Sequence, residues 1–319
     1  MTEQERTDRE NMSFAAEIKN ELCRTEVDKG CCAMAELLGV LLFANTFSTE
    51  QIRIVTESSD FAQRLPKLLR RAVGLSFDSL PTGEGRGKLR FSITEPEKIA
   101  RIYELCGFSV VNSVSLHVNF ALLEKECCKR AFLRGAFLSG GAVTDPEKCY
   151  HLELSTVHRN AGREAENLLQ DMDLPVKLTE RKGCGVLYFK QSESIETFLT
   201  TIGCPIGAMA VMEAKINKNW RNIANRKTNC DSANLDKTVA AAGEQIGAIE
   251  TLRREGVFDS LPEKLRQTAV LREEYPEVNL QELAELHLPP LTKSAVNHRL
   301  RKLQRLAVEL QSSGEERLS

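Results

Sequence analysis

Between Thr292 and Arg305 the chain carries five basic side chains, Lys293, Arg299, Arg301, Lys302 and Arg305, and no acid. A guanidinium offers a planar fork of donors that fits phosphate or the major-groove edge of guanine, while an ammonium meets phosphate as a point charge. Interleaved with them are Ser294, Ala295, Asn297 and His298, short side chains that can approach base edges, the asparagine with a bidentate fit to adenine. Together these groups have the chemistry of duplex DNA binding. The first helical turn would read bases, and Arg301, Lys302 and Arg305 further along would contact phosphates. A second basic block, Lys215 to Asn229, holds Lys215, Lys218, Arg221, Arg226 and Lys227, no acid, and the single tryptophan, Trp220. Those five are candidate phosphate contacts, or else the charged face of a solvated connecting helix.

The ten cysteines, at 23, 31, 32, 106, 127, 128, 149, 184, 204 and 230, include no CxxC pair. Two adjacent pairs, Cys31-Cys32 and Cys127-Cys128, do not easily aim two thiolates at one zinc, and no histidine lies near at a ligand spacing. They are therefore expected to be small buried apolar residues of a reducing compartment, with no metal and no cofactor. No GxxxxGK loop and no defensible Ser/His/Asp set occurs; the glycines from Gly83 to Lys88 lack the following helix that a nucleotide site needs. No catalytic residue and no small-molecule substrate is expected.

Elements able to position the basic segments follow from periodicity. Leu261-Pro262-Glu263 opens a helix to Glu274, which Pro276 stops; Leu280 to Leu286 is a short amphipathic helix; and Ser294 caps a longer one with Val296, Leu300, Leu303, Leu306 and Leu310 as its buried stripe. Two helices joined by a short break, the second basic, compose a helix-turn-helix. An Ala-rich helix over Ser232 to Leu252, capped by Asp231 or Ser232, precedes them.

Upstream, the chain repeats itself at a shift of about 96 residues. CCAMAELLGVLLF at 31–43 aligns with CCKRAFLRGAFLS at 127–139, each an apolar helix around one glycine, Gly39 or Gly135. Alternating and helical patterns then follow in the same order: 51–56, 61–73, 89–93 and 99–107 in the first half, and 151–155, 162–172, 186–190 and 195–204 in the second. This predicts an α+β fold of two pseudo-twofold halves whose glycine helices pack closely, followed by an all-α domain.

These paired helices resemble those of the LAGLIDADG homing endonucleases. The resemblance puts the metal-binding acid five residues after the glycine, where this chain has Ala44 and Gly140. Neither can ligate a magnesium ion, so phosphodiester cleavage is expected to be lost. Glu50 and Asp145, in the loops beyond, are the nearest acids. With a helix-turn-helix added, the whole chain resembles the WhiA family, through SFAAEIKNELCR at 13–24, FLRGAFLSGGAVTDPEKCYHLEL at 132–154, NCDSANLDKTV at 229–239 and KSAVNHRLRKL at 293–303. The resemblance implies a non-enzymatic DNA-binding regulator of transcription, tied to cell division, chromosome segregation and, in sporulating relatives, sporulation. Its DNA-binding element would span about Asn279 to Glu309. The alternatives are an active endonuclease of the LAGLIDADG type, or a protein-interaction scaffold with secondary DNA binding.

The expected organisation is a polar tail at 1–12; an endonuclease-like domain at 13–214, in repeats of about 13–110 and 111–214; a basic linker and helix at 215–254; the helix-turn-helix domain at 255–310; and a flexible tail at 311–319. No apolar run approaches the roughly 18 residues of a membrane helix, so a cytoplasmic, nucleoid-associated protein is expected, with double-stranded DNA as partner and protein partners on the first domain. The formal charge of −2 hides this pattern: residues 1–214 carry −4 and residues 215–229 carry +5. Turns at Gly85-Arg86-Gly87-Lys88 and Arg181-Lys182-Gly183 put basic residues at matching places in both halves, where an endonuclease would touch the DNA backbone.

Overall fold

A computed structural model describes residues 12–27, 29–81, 87–109 and 115–315, and these part into two units between Asn219 and Trp220. The first repeat comprises α1 (Phe14–Cys23), α2 (Gly30–Leu42), β1 (Thr46–Phe47), β2 (Ile52–Thr56), α3 (Ser59–Val73), β3 (Leu89–Ile93) and α4 (Pro96–Cys106). The second comprises α5 (Glu126–Gly140), β4 (Gly141–Val143), β5 (Leu152–Thr156), α6 (Arg159–Asp171), β6 (Lys177–Arg181), β7 (Cys184–Phe189) and α7 (Ser192–Ile202). Then come α8 (Pro205–Arg254), α9 (Glu263–Glu274), α10 (Leu280–Glu285) and α11 (Lys293–Glu315). No helix among the described residues is long and apolar enough to cross a membrane.

Helices α2 and α5 are buried along most of their length, as a central helix pair must be. They touch backbone to backbone. A methyl group added at Gly39 would stand 2.1 Å from the Phe132 carbonyl oxygen, and one at Gly135 would stand 2.0 Å from that of Glu36. Each glycine thus meets the same point of the opposite helix, so the two helices run side by side in the same direction about a pseudo-twofold axis.

An asymmetric polar cluster crosses this symmetric contact. The fully buried Glu36 accepts from Arg64 Nε and Nη2 of α3 at 2.6 and 2.9 Å. Nη1 of Arg64 donates to the carbonyls of Cys23 and Thr25. Arg134 of α5 brings its Nε to 3.2 Å from the same carboxylate, and burial pulls its pKa down.

The sheets flank the helix pair. The first is antiparallel in the order β1-β2-β3, and the second is β4-β5-β7-β6, also antiparallel. Three of these strands, β1, β4 and β6, escape the sequence patterns. The first two have only two or three residues, and β6 alternates too weakly for its period to be read, with four of its five residues exposed. The β6–β7 hairpin turns on Lys182 and Gly183, both at positive φ, the backbone a two-residue I′ turn demands. The equivalent helices α4 and α7 both end on left-handed glycines, Gly107 and Gly203. Across the repeats, the Thr156 hydroxyl donates to the Leu42 carbonyl at 2.6 Å, closing an open acceptor at the end of α2.

Helix α8 corrects the expected break near 230. It runs unbroken for 50 residues, and neither Asp231 nor Ser232 is a cap. Between Gly207 and Gly243 there is no glycine or proline, so the cap-forming residue types are overridden by helix propagation. Its start is held by Glu21 of α1, whose carboxylate accepts from the Ile206 and Gly207 amides at 2.8 and 2.9 Å.

In the second unit, Ile249 and Leu252 at the end of α8 pack with Leu265 and Ala269 of α9, Leu283 and Ala284 of α10, and Val296, Leu300, Leu303 and Ala307 of α11. Buried Arg272 donates to the carbonyls of Tyr275, Pro276 and Val278, fixing the α9–α10 loop. Next to this core, His287 is buried with its Nε2 3.3 Å from the Thr268 hydroxyl. Burial, and secondarily the charge of Arg299, lowers its pKa.

Two predictions follow from this packing. Gly135→Ala should destabilise the first unit by about 1–3 kcal/mol, because a helix backbone stands in the way and cannot yield. Gly243→Ala, where nothing lies within 4 Å of the added methyl, should be neutral or gain up to about 1 kcal/mol from helix propensity. Urea unfolding of both variants checks the contrast, and equal effects would refute the close contact. His287 is held neutral when folded, so the unfolded chain binds its proton at a higher pH. The second unit should therefore be at full stability above about pH 6.5 and weaken as pH falls below it. Calorimetry of His287→Gln should show that dependence flattened.

Candidate nucleic-acid interface

Helix α10 begins at a capping box: the Asn279 side chain accepts from the Gln281 and Glu282 amides, and Glu282 returns a bond to the Asn279 amide. The connection to α11 is short and turned inward, with the Leu291 amide donating to the Ala284 carbonyl at 2.9 Å. Helix α11 then starts at Lys293, and the Thr292 hydroxyl accepts from the Ala295 amide at 3.2 Å. The cap is Thr292, two residues before the expected Ser294, and Ser294 is freed to lie on the surface.

Helical periodicity sorts the side chains of α11. Val296, Leu300, Leu303 and Ala307 point into the core. Ala307 takes the place in the stripe expected of Leu306, which, like Leu310, is only half-buried. On the far face Ser294, His298, Arg301 and Arg305 form an exposed row, flanked by exposed Lys293 and Lys302, with Ala295 and Asn297 half-buried beside it. Arg299 departs from the expected set. Its Nη1 donates to the Lys264 carbonyl at 3.2 Å and to the Thr268 hydroxyl at 3.3 Å, so its guanidinium binds α11 to α9 within the domain. The sequence counted its charge but not its angle on the helix.

The basic block on α8 divides similarly. Lys215 pairs with Glu193 at 2.5 Å; Lys218 donates to the Pro146 carbonyl and lies over the Tyr150 ring, 4.4 Å from its centroid. Both are thereby occupied within the first unit. Arg226 and Lys227 are exposed along the helix, as is Arg221, which is also engaged within the protein.

At the C-terminal ends of α2 and α5, Ala44 is buried and Gly140 is enclosed: a methyl group there would lie 2.4 Å from the Ser155 carbonyl oxygen and 3.0 Å from that of Phe43. Glu50 is exposed in the β1–β2 turn, and Asp145 is engaged by the Glu147 amide. The two sheets do not carry equal charge. Over the first, Lys19, Arg53, Lys88 and Arg90 line an open concavity in which Glu57 is the single acid among the described residues. On the second, Arg181 is paired with Glu153 at 3.0 Å. Of the two expected basic turns, Gly85 and Arg86 lie outside the described residues.

The cysteines are not the uniformly buried small residues that the sequence suggests. Only Cys106, Cys128 and Cys204 are buried. Cys31, Cys32, Cys127 and Cys128 converge, with all four sulfur atoms within 4.8 Å of one another. Sequence spacing could not reveal this, because the two pairs are brought together by the contact between α2 and α5.

Comparison with known proteins meets this geometry at both ends. The model of the WhiA LAGLIDADG-like domain matches residues 129–221, and that of the WhiA C-terminal HTH domain matches residues 224–307. A probable cell division protein WhiA from Ruminiclostridium cellulolyticum is 38% identical over 312 residues, covering 95% of this chain and 100% of its own. One from Alkaliphilus metalliredigens is 35% identical, covering 93% and 98%. The crystal structure of full-length DUF199/WhiA from Thermatoga maritima shares the fold, with a TM-score of 0.57 at 24% identity over 93% of this chain and 99% of that one. With that identity sustained over nearly the whole of both chains, this protein belongs to the WhiA family, a LAGLIDADG-like domain followed by a helix-turn-helix domain.

Proposed function

We propose that this protein is a non-enzymatic, sequence-specific DNA-binding regulator acting in cell division. The observation that carries the reading is the exposed, acid-free row on α11, Ser294, His298, Arg301 and Arg305 with Lys293 and Lys302. It stands on a helix whose opposite face is the core of the domain, so its geometry is fixed before DNA arrives. Ser294, Ala295, Asn297 and His298 are the base readers of this proposal, and Arg301, Lys302 and Arg305 the phosphate contacts, joined by Arg221, Arg226 and Lys227 of α8. Control of transcription, chromosome segregation or sporulation genes, and residence on the nucleoid, are the finer roles that the family resemblance implies.

The loss of cleavage rests on the enclosure of Gly140, where no carboxylate fits without moving backbone, and on the methyl side chain of Ala44. Divalent-metal hydrolysis needs hard oxygen ligands at those helix ends. Plasmid DNA incubated with magnesium or manganese should stay uncut. A second reading, a docking surface for a protein partner, is favoured by the exposed apolar row Ile206, Met209, Met212 and Ile216 on α8. Met212→Lys and Ile216→Lys should leave duplex affinity unchanged under either reading and abolish partner capture under the second.

Duplex binding measured by fluorescence anisotropy should weaken steeply with salt. Lys302→Ala and Arg305→Ala should each weaken all sequences alike and reduce the salt slope by roughly 1. Asn297→Ala should cost about 1–3 kcal/mol on the preferred site and relax specificity there. Arg299→Ala should act differently, lowering the thermal stability of the second unit while leaving the salt slope intact. An unchanged affinity after removal of residues 255–319 would refute the placement of DNA binding on the helix-turn-helix domain.

A further inference from the structure

We propose that Cys31, Cys32, Cys127 and Cys128 form a structural zinc site that staples the two repeats together at the start of their paired helices. The inference begins with the helix contact. Cys31 and Cys32 are the second and third residues of α2, and Cys127 and Cys128 hold the same places in α5. Because Gly39 and Gly135 let the two helices lie backbone to backbone in the same direction, their first turns meet on the pseudo-twofold axis. One adjacent pair alone is a poor chelate. The axis supplies the second pair and completes a set of four thiols.

The geometry suits zinc. A tetrahedral ion with bonds of about 2.3 Å holds its sulfur ligands about 3.8 Å apart, and the four sulfur atoms already lie within 4.8 Å of one another. The donor set is all thiolate, which selects zinc over magnesium or calcium. Four protein ligands also close the coordination sphere, which marks a structural rather than a catalytic ion. The site is accordingly distinct from the lost endonuclease chemistry, which would sit at the opposite ends of the same helices, beside Ala44 and Gly140.

Charge also favours it. On binding, each thiol releases its proton to solvent, and a zinc ion with four thiolates carries a net charge of −2. Two helix N-termini point their positive ends at that charge, and Lys125, at the N-cap of α5, lies within electrostatic reach of Cys31. Cys31 is exposed and Cys128 is buried, so the ion has a way in from solvent and a closed floor beneath it.

The test uses the full chain, purified under reducing conditions without chelator. Elemental analysis should find about one zinc per chain. Cobalt added to the metal-free protein should give the intense visible bands of a tetrahedral tetrathiolate complex, which zinc then bleaches. Cys31→Ser, at an exposed position that folding does not need, should abolish both signals, and Cys149→Ser and Cys230→Ser should keep them. Zinc should also raise the unfolding midpoint of the wild type and leave that of Cys31→Ser unmoved. Reduced protein that holds no zinc and develops no cobalt band would overturn the proposal, as would equal metal retention by Cys31→Ser and Cys149→Ser. Isolation of the metal-free chain with Cys31 joined to Cys128 as a disulfide would overturn it in favour of a redox clasp.

Discussion

The contact of two helix backbones at Gly39 and Gly135 is the constraint on which the first domain depends. A carbonyl oxygen about 2 Å from where a methyl would be leaves no freedom in the separation or the register of α2 and α5. Each sheet is covalently continuous with the end of one of these helices, so fixing the pair fixes two sheets about one axis. The same contact decides what can stand at the ends of the pair. At the C-terminal end the enclosure of Gly140 leaves no room for a side chain. At the N-terminal end, two helices that begin together place four thiols within bonding reach of one ion.

Close packing alone does not choose between partners, because two nearly equivalent helices could equally pair with copies of themselves. The polar cluster makes that choice. Glu36 of α2 and Arg134 of α5 are not repeat mates: the counterpart of Glu36 is Phe132, and that of Arg134 is Leu38. Pairing α5 with a second α5 would bury the Arg134 guanidinium against phenylalanine, with no carboxylate opposite it. A buried charge left without its partner costs about 3–5 kcal/mol. Arg64, of the same repeat as Glu36, grips that carboxylate bidentately and holds two carbonyls whichever helix stands opposite, so it is Arg134 whose charge depends on the heterotypic pair. We regard this cluster as setting specificity of pairing more than stability.

What could be read from the chain divides by whether it depends on neighbours in sequence or on neighbours in space. The repeat, the glycine helices, five of the principal strands and helices of each half, and the three helices of the helix-turn-helix domain all follow from local period, and each was legible. The continuity of α8 was not, since Asn229, Asp231 and Ser232 look like a boundary until one notes that nothing there breaks a helix. Nor was the role of Arg299, because its charge is the same whether it faces DNA or the carbonyl of Lys264. The cysteines are the clearest case. Adjacent pairs fail every spacing rule for zinc, and those rules assume that the ligands lie close together along the chain. An internal repeat breaks that assumption, because a symmetry axis joins residues 96 positions apart as surely as a tight turn joins residues 3 apart.

Helix α11 shows the same principle on a smaller scale. A rotation of about 100° per residue sends positions 296, 300, 303 and 307 inward and 294, 298, 301 and 305 outward, so one segment can supply a core and a binding face without compromise. Residues between those two rows must belong to one or the other, and local chemistry decides. Lys302 sits beyond Arg301 and remains in solvent, whereas Arg299 stands on the α9 side and is drawn into a carbonyl and a hydroxyl. Counting charges along a helix therefore overstates its binding face by the residues at the seam. On α8, Lys215 and Lys218 make contacts of the same kind within the first unit. The charge that α11 leaves exposed is smaller than its sequence total, and it is confined to positions that the core has already oriented.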